Sequence, residues 1–207
     1  MTFLLSALVI GGIALWLIRG IWRIGRVSSG PRIESRPATA LVMIDLQTVF
    51  WRDGPYSPDQ KAGAETAILQ AVERAKADDI PVIALRQEWS IPATKVIARL
   101  AMEGAAVAGT EGTEIAPPFA DKADHTLVKR VQDGFETGAL DPLLKKLGVG
   151  HLHLMGLDTA YCVAKTALAA RARGYQVTID RRTILAADQK TADKALKQLE
   201  ETGVTLI

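Results

Sequence analysis

A succession of short strand-like runs, each separated from the next by a stretch with helical periodicity, constrains this 207-residue chain more than any other feature. The first run, Ala40-Leu41-Val42-Met43-Ile44, is continuously apolar and stops at Asp45, the pattern of a strand buried on both faces of a parallel sheet. Further runs follow at 81–85, at 125–128 (ending at Lys129), at 151–155 and at 175–179, with a short sixth at 204–207. Helical patterns occupy 60–77, 93–107, 140–147, 162–173 and 190–202. Strands alternating with helices predict an α/β, doubly wound three-layer sandwich around a six-stranded, mostly parallel sheet.

In such sheets ligands gather beyond the carboxyl ends of the strands, where the strand order reverses. Asp45, Lys129 and Cys162 all fall at predicted strand ends. Each alone has a plain structural reading: Asp as a turn former, Lys as a solvated charge, Cys as a small buried hydrophobe. Cys162 is the only cysteine, which excludes an internal disulfide and a multi-cysteine metal site and leaves a core filler or a working thiol. It stands where the run ending at Met155-Gly156 hands over to a helix, and a helix start favours a thiolate.

The N-terminal segment breaks the pattern. Residues 3–18 are apolar apart from Ser6, and with Ile21, Trp22 and Ile24 the stretch reaches the roughly 20 residues that cross a bilayer. Five arginines (Arg19, Arg23, Arg26, Arg32, Arg36) against Glu34 give residues 1–36 a net charge of +4 and leave about −2 for the rest, which offers no nucleic-acid footprint. The arginines follow the apolar run instead of preceding it, unlike a cleaved signal. The expected division is an anchor helix over 1–25 that meets lipid through residues 3–24, a linker over 26–38 and a catalytic domain over 39–207. Positive charge on the C-terminal flank places that domain in the cytoplasm and the N-terminus outside.

From Thr39 onward the chain resembles the isochorismatase-like cysteine hydrolases, a family that includes nicotinamidases, N-carbamoylsarcosine amidohydrolases, biuret hydrolases and ureidoacrylate amidohydrolases. The blocks that carry the resemblance are Val42-Met-Ile-Asp45-Leu-Gln47 with Phe50, Gly109-Thr-Glu-Gly112-Thr-Glu114-Ile115, Lys129 with Phe135 and Leu140, and Gly156-Leu-Asp-Thr-Ala-Tyr-Cys162-Val163, in the family's order. The resemblance implies an Asp45, Lys129, Cys162 triad and an oxyanion hole from the backbone N–H groups of Asp158 and Cys162. It also implies a cis peptide at Leu157-Asp158. A thiolate of this kind attacks a carbonyl or nitrile-like carbon, and an acid and a cation beside it favour its formation. Phe50, Trp89, Phe135 and Gln47 are candidate substrate-binding residues.

Departures from the family pattern narrow the substrate class. Nicotinamidases carry Asp-Trp-His after the second strand, with further histidines that hold a metal; here the stretch is Glu88-Trp89-Ser90, and the next histidine is His125. His151 and His153 fall on a predicted strand and are expected to pack or face solvent. No metal and no cofactor are expected. The catalytic cysteine argues against vinyl ether cleavage, since true isochorismatases lack it. Asp133-Gly134-Phe135 replaces the common Ser-Ala-Phe, so that Asp133 either faces a substrate amine or forms a turn. The expected protein is a membrane-anchored, metal-independent cysteine hydrolase of a C–N bond in a small amide, carbamoyl or ureido compound. It is also expected to form a homo-oligomer or join a larger membrane complex. Two rivals stand beside it: an accessory subunit that keeps the hydrolase fold, and a nicotinamidase with an altered metal site.

Overall fold

The computed structural model describes residues 2–207; Met1 and the side chains of residues 2–5 and 7, part of the expected 3–24 span, lie outside the described residues. The chain opens with helix α1 (Thr2–Gly25) and enters the sheet at β1 (Ala38–Ile44). A single short turn, α2 (Thr48–Trp51), precedes α3 (Pro58–Ala77), β2 (Val82–Gln87), α4 (Pro92–Ala101) and β3 (His125–Lys129). Then follow α5 (Leu140–Lys146), β4 (Val149–Gly156), α6 (Ala164–Ala172), β5 (Gln176–Ile184), α7 (Gln189–Glu201) and β6 (Thr205–Leu206). The strands lie in the order β3-β2-β1-β4-β5-β6, and every neighbouring pair is parallel.

Alternation along β1 splits the core in two. Ala40, Val42 and Ile44 face a cluster completed by Leu140 and Leu144 of α5, Ala167 and Ala170 of α6, and Leu196 and Leu199 of α7. Leu41 and Met43 face Ala64, Ile68, Val72 and Ala75 of α3. Helices therefore cover both faces, the three-layer arrangement that continuous apolar strands require.

Several boundaries depart from expectation for local reasons. Helix α3 starts two residues early because Ser57 caps it: its hydroxyl accepts from the Gln60 N–H at 3.2 Å, the Gln60 side chain accepts from the Ser57 N–H at 2.9 Å, and Pro58 occupies the first helical turn. Helix α4 stops at Ala101, short of 107, where Glu103, Gly104 and Ala106 take left-handed backbone angles that no helix continues through. Strand β2 runs on through Arg86 and Gln87, which proves important for the site.

The expected linker is not a free tether. Residues 26–37 have no regular structure, yet they are bound to the domain along their length. Ser28 N–H donates to Asp133 Oδ2 at 2.6 Å and Ile33 N–H to Arg173 O at 2.7 Å. The buried Arg173 guanidinium donates to Ser28 O (2.9 Å), Ser28 Oγ (3.0 Å) and Ser29 O (3.2 Å). The last turns of α1 are docked as well. Gly20 lies so close to α4 that an added Cβ would sit 2.8 Å from both Ala93 Cβ and Ile97 Cδ1, and Ile24 is buried with Trp89, Ala98, Ala106 and Val107. Among the described side chains of α1 before Gly20, all are exposed except the half-buried Leu17, and the helix is long and apolar enough to cross a membrane.

Candidate active site

The strand order reverses between β1 and β4, so the crevice at their carboxyl ends is the place where a ligand site is expected. Asp45 follows β1 there, Lys129 ends β3, and Cys162 follows β4. Asp45 adopts φ 55°, a left-handed angle that Asp tolerates better than most residues, and this bends the chain sharply as it leaves the strand. Gly156, at the end of β4, has φ 114°, and a Cβ there would meet Ile44 O at 2.1 Å; only glycine lets the two strand ends approach so closely.

Three side chains distant in sequence meet at this edge. Lys129 Nζ is 2.9 Å from Asp45 Oδ2 and 3.3 Å from Cys162 Sγ. It also donates to Gln87 Oε1 at 2.6 Å and to Val131 O at 3.3 Å. Asp45 is 1 % exposed, Lys129 0 % and Cys162 9 %, so of the three only the cysteine reaches solvent appreciably. Asp45 Oδ1 is buried and accepts no hydrogen bond, which leaves one carboxylate oxygen available to a proton.

Burial sets the electrostatics. It pushes the Asp45 carboxyl above its ordinary pKa, against the Lys129 ammonium and the neighbouring thiol. Burial also penalises the Lys129 ammonium, but Asp45 and Cys162 outweigh it and hold the lysine above its ordinary value. The Cys162 thiol is pushed up, first by burial and then by the Asp45 carboxylate, with Lys129 opposing. The helix start that favours a thiolate is therefore opposed here by burial. Burial thus favours the protonated thiol and also raises the proton affinity of the carboxyl beside it.

Cys162 sits within a turn of π-helix, Thr159–Val163, that leads into α6, and not at the first residue of an ordinary helix. Asp158 pins this turn. Its Oδ1 accepts from Ala160 N–H at 2.9 Å, its Oδ2 accepts from Ala187 N–H at 2.7 Å, and the Tyr56 hydroxyl donates to Oδ2 at 3.4 Å. The Leu157–Asp158 peptide is cis, as the resemblance implied. The flanking Leu157 and Thr159 N–H groups are taken by Ile44 O (3.0 Å) and Leu185 O (2.8 Å).

Two of the candidate substrate-binding residues are occupied elsewhere. Gln47 is fully buried; its Nε2 donates to Gln87 O (3.0 Å) and Thr113 O (2.7 Å), and its Oε1 accepts from Gln87 N–H (2.6 Å). It therefore positions Gln87, which in turn holds Lys129. Phe135 is held in the core between Tyr175, 5.7 Å away, and the Arg173 guanidinium, 4.6 Å over its ring. Trp89 is buried against Ile24 of α1, and Phe50 is half-buried between two core clusters. Asp133 is a clamp for the docked segment: Oδ1 accepts from Phe135 N–H at 2.8 Å and Oδ2 from Ser28 N–H. Gln87 escaped the sequence reading because β2 was expected to end at Leu85. The available signal was a polar residue at a third strand end, in register with Lys129.

His151 and His153 lie on β4 with their rings 4.6 Å apart, and His151 Nε2 is 2.8 Å from Thr178 Oγ1. Among the described residues no group of three or more His, Cys, Asp or Glu side chains could hold a metal ion. Ser90, standing where a metal-binding histidine would be, removes the donor that such a site needs, so the residues present do not fit a metal beside the triad.

Residues 39–207 match the family model for the isochorismatase domain. Solved structures similar to the chain include an isochorismatase family protein from Desulfovibrio vulgaris (26 % identity, TM-score 0.71, covering 83 % of this chain and 94 % of that one). A pyrazinamidase of Pyrococcus horikoshii in complex with zinc has 22 % identity and TM-score 0.70, with 83 % and 99 % covered. An N-carbamoylsarcosine amidase from Thermoplasma acidophilum has 22 % identity and TM-score 0.68, with 82 % and 95 % covered. A search of curated proteins returned no match.

Proposed function

The chain belongs to the isochorismatase domain family, and from that membership we propose that it is a membrane-anchored cysteine amidohydrolase that cleaves a C–N bond of a small amide, carbamoyl or ureido compound without a metal. The observation that carries the proposal is Lys129 Nζ lying 2.9 Å from Asp45 Oδ2 and 3.3 Å from Cys162 Sγ in a buried crevice.

The steps follow from these groups. As substrate fills the crevice, the Cys162 thiol passes its proton to Asp45, and the new thiolate is stabilised by the Lys129 ammonium, whose charge is unchanged throughout. Sulfur attacks the carbonyl carbon, and the C=O electron pair moves onto oxygen. The N–H groups of Asp158 and Cys162 hold that oxyanion, a contribution of about 3 kcal/mol per donor. Asp45 returns its proton to the departing nitrogen as the C–N bond breaks, which leaves an acyl thioester on Cys162. Water then attacks the thioester while Asp45 accepts its proton, and the thiolate leaves and is reprotonated.

Helix α1 supports the membrane part of the proposal. Gly20 and Ile24 pack on the domain, and the part of the helix that precedes them, residues 2–19, is about 27 Å long at 1.5 Å per residue, close to the roughly 30 Å hydrocarbon thickness. The arginines beyond it keep the domain on the cytoplasmic side.

The test is an ammonia-release screen of detergent-purified full-length protein against amides, ureides and carbamoyl compounds, with Cys162→Ala in parallel. Turnover that disappears in the variant, with its melting temperature unchanged, is expected. Full turnover in Cys162→Ala would reject the mechanism. Absence of turnover on every compound, together with a stably co-purifying membrane partner, would favour the accessory-subunit reading.

A further inference from the structure

We propose that the cleft between the last turns of α1 and the hydrolase domain binds the phosphodiester headgroup of an anionic phospholipid. This rests on the membrane span proposed above and adds a specific lipid site to it. The cleft has a volume of about 560 Å³ and is lined by Arg19, Trp22, Arg23 and Arg26 of α1 and its end, by Ser28 and Ser29 of the docked segment, and by Glu136 of the domain.

Depth comes first. If residues 2–19 span the hydrocarbon, Arg19 emerges at its edge and the cleft opens at headgroup level. Trp22 is 62 % exposed, an amphipathic ring at the depth where such rings collect, and the Arg26 guanidinium lies 4.8 Å over it.

Charge comes second. Three guanidiniums face a single carboxylate, and that carboxylate is already engaged: Arg130 donates to Glu136 Oε2 at 3.2 Å and Oε1 at 3.0 Å, and Arg23 donates to Oε1 at 3.1 Å. Arg19 and Arg26 have no carboxylate partner among the described residues. A helix C-terminus and the usual cytoplasmic flank account for the sign of the charge. Neither accounts for the arginines sharing a cleft whose far wall is fixed by the domain through Asp133 and Arg173. Two guanidiniums without a carboxylate partner in a fixed cleft, one of them stacked on Trp22, match the non-bridging oxygens of a phosphodiester, which guanidinium binds bidentately.

The test titrates full-length protein, released from detergent in native mass spectrometry, with phosphatidylglycerol, phosphatidylcholine or soluble glycerol 3-phosphate. Phosphatidylglycerol is expected to bind more tightly than phosphatidylcholine, and glycerol 3-phosphate far more weakly than either. Losing one arginine beside an anionic headgroup weakens binding about five-fold, so Arg19→Gln/Arg26→Gln should weaken phosphatidylglycerol about 25-fold. Arg32→Gln, which removes one charge from the docked segment outside this cleft, should change it less than two-fold. Equal affinity for the two lipids would overturn the site outright, and equal losses in Arg26→Gln and Arg32→Gln would overturn it in favour of diffuse attraction. Glycerol 3-phosphate binding as tightly as the lipid would replace it with a soluble phosphate-ester site. Alkaline carbonate extraction separates the premises: release from membranes would remove the span and this site together. Retention without a phosphatidylglycerol preference would remove only this site.

Discussion

Replacing Lys129 with Met examines the site through its stability. The Lys129 and Asp45 side chains are 1 % and 2 % exposed and their charged atoms are 2.9 Å apart. Methionine fills nearly the same volume but leaves the Asp45 carboxylate buried with no cation. Breaking a buried pair from one side costs about 3–5 kcal/mol, most of it for stranding the remaining charge. In a domain of this size that is roughly 6–20 °C in melting temperature. The deficit should depend on pH with a definite sign. Without Lys129, burial acts on Asp45 opposed only by the hydrogen bonds of Cys162 and Gln87, and raises its folded pKa further above the unfolded value near 4. Such a group loses stability as pH rises from its unfolded toward its folded pKa, by about 1.4 kcal/mol per pH unit. Thermal unfolding of the variant against the wild type should therefore show a larger deficit at pH 7 than at pH 4.5. Adding Asp45→Asn to Lys129→Met should recover at least about 1.5 kcal/mol, because the stranded charge is gone. A variant that melts within about 2 °C of the wild type at pH 7, or a deficit independent of pH, would refute the buried pair.

Gln47→Leu removes the brace beneath Gln87 and should lower kcat by about ten-fold or more with KM nearly unchanged in steady-state assays, since the buried Gln47 amide is spent on Gln87 and Thr113 and Gln87 in turn accepts from Lys129. Because burial raises the Asp45 pKa, the acid limb of a kcat/KM pH profile should fall above pH 3.8 and disappear with the residual activity of Asp45→Asn. Gly20→Leu should undock α1 from Ala93 and Ile97 and destabilise the protein by about 1–3 kcal/mol, measured by thermal unfolding in detergent. Dialysis against a chelator should leave turnover unchanged.

The fold was readable because a buried parallel strand leaves a plain trace: Ala40–Ile44 could be little else, and its terminal Asp45 marked the crevice. The same logic failed where structure is set by partners distant in sequence. Strand β5 continues through Asp180, Arg181 and Arg182, polar residues with no strand signature, across a register shift: β4 pairs with it up to Ile179 and again at Ile184, and Arg181 N–H donates to Ile207 O. The docked character of residues 26–37 was invisible because its partners, Asp133 and Arg173, lie more than a hundred residues away. Gln47 is a candidate substrate contact in the sequence, whose motif cannot show that its amide is consumed by Gln87 and Thr113. The thiol's electrostatics were legible only in part, for a related reason. A helix start is legible in sequence, but the burial that opposes ionisation exists only once the layers close over the sulfur.

The central claim, that Asp45 and Lys129 together make Cys162 a nucleophile, is tested most directly by acid-quenching the protein during turnover of a substrate found in the screen and weighing the peptide that contains Cys162. The account predicts an added mass equal to the substrate's acyl group on that peptide in the wild type, and none in Asp45→Asn. Continued product formation with no acyl mass at Cys162, under conditions where the thioester should accumulate, would contradict it.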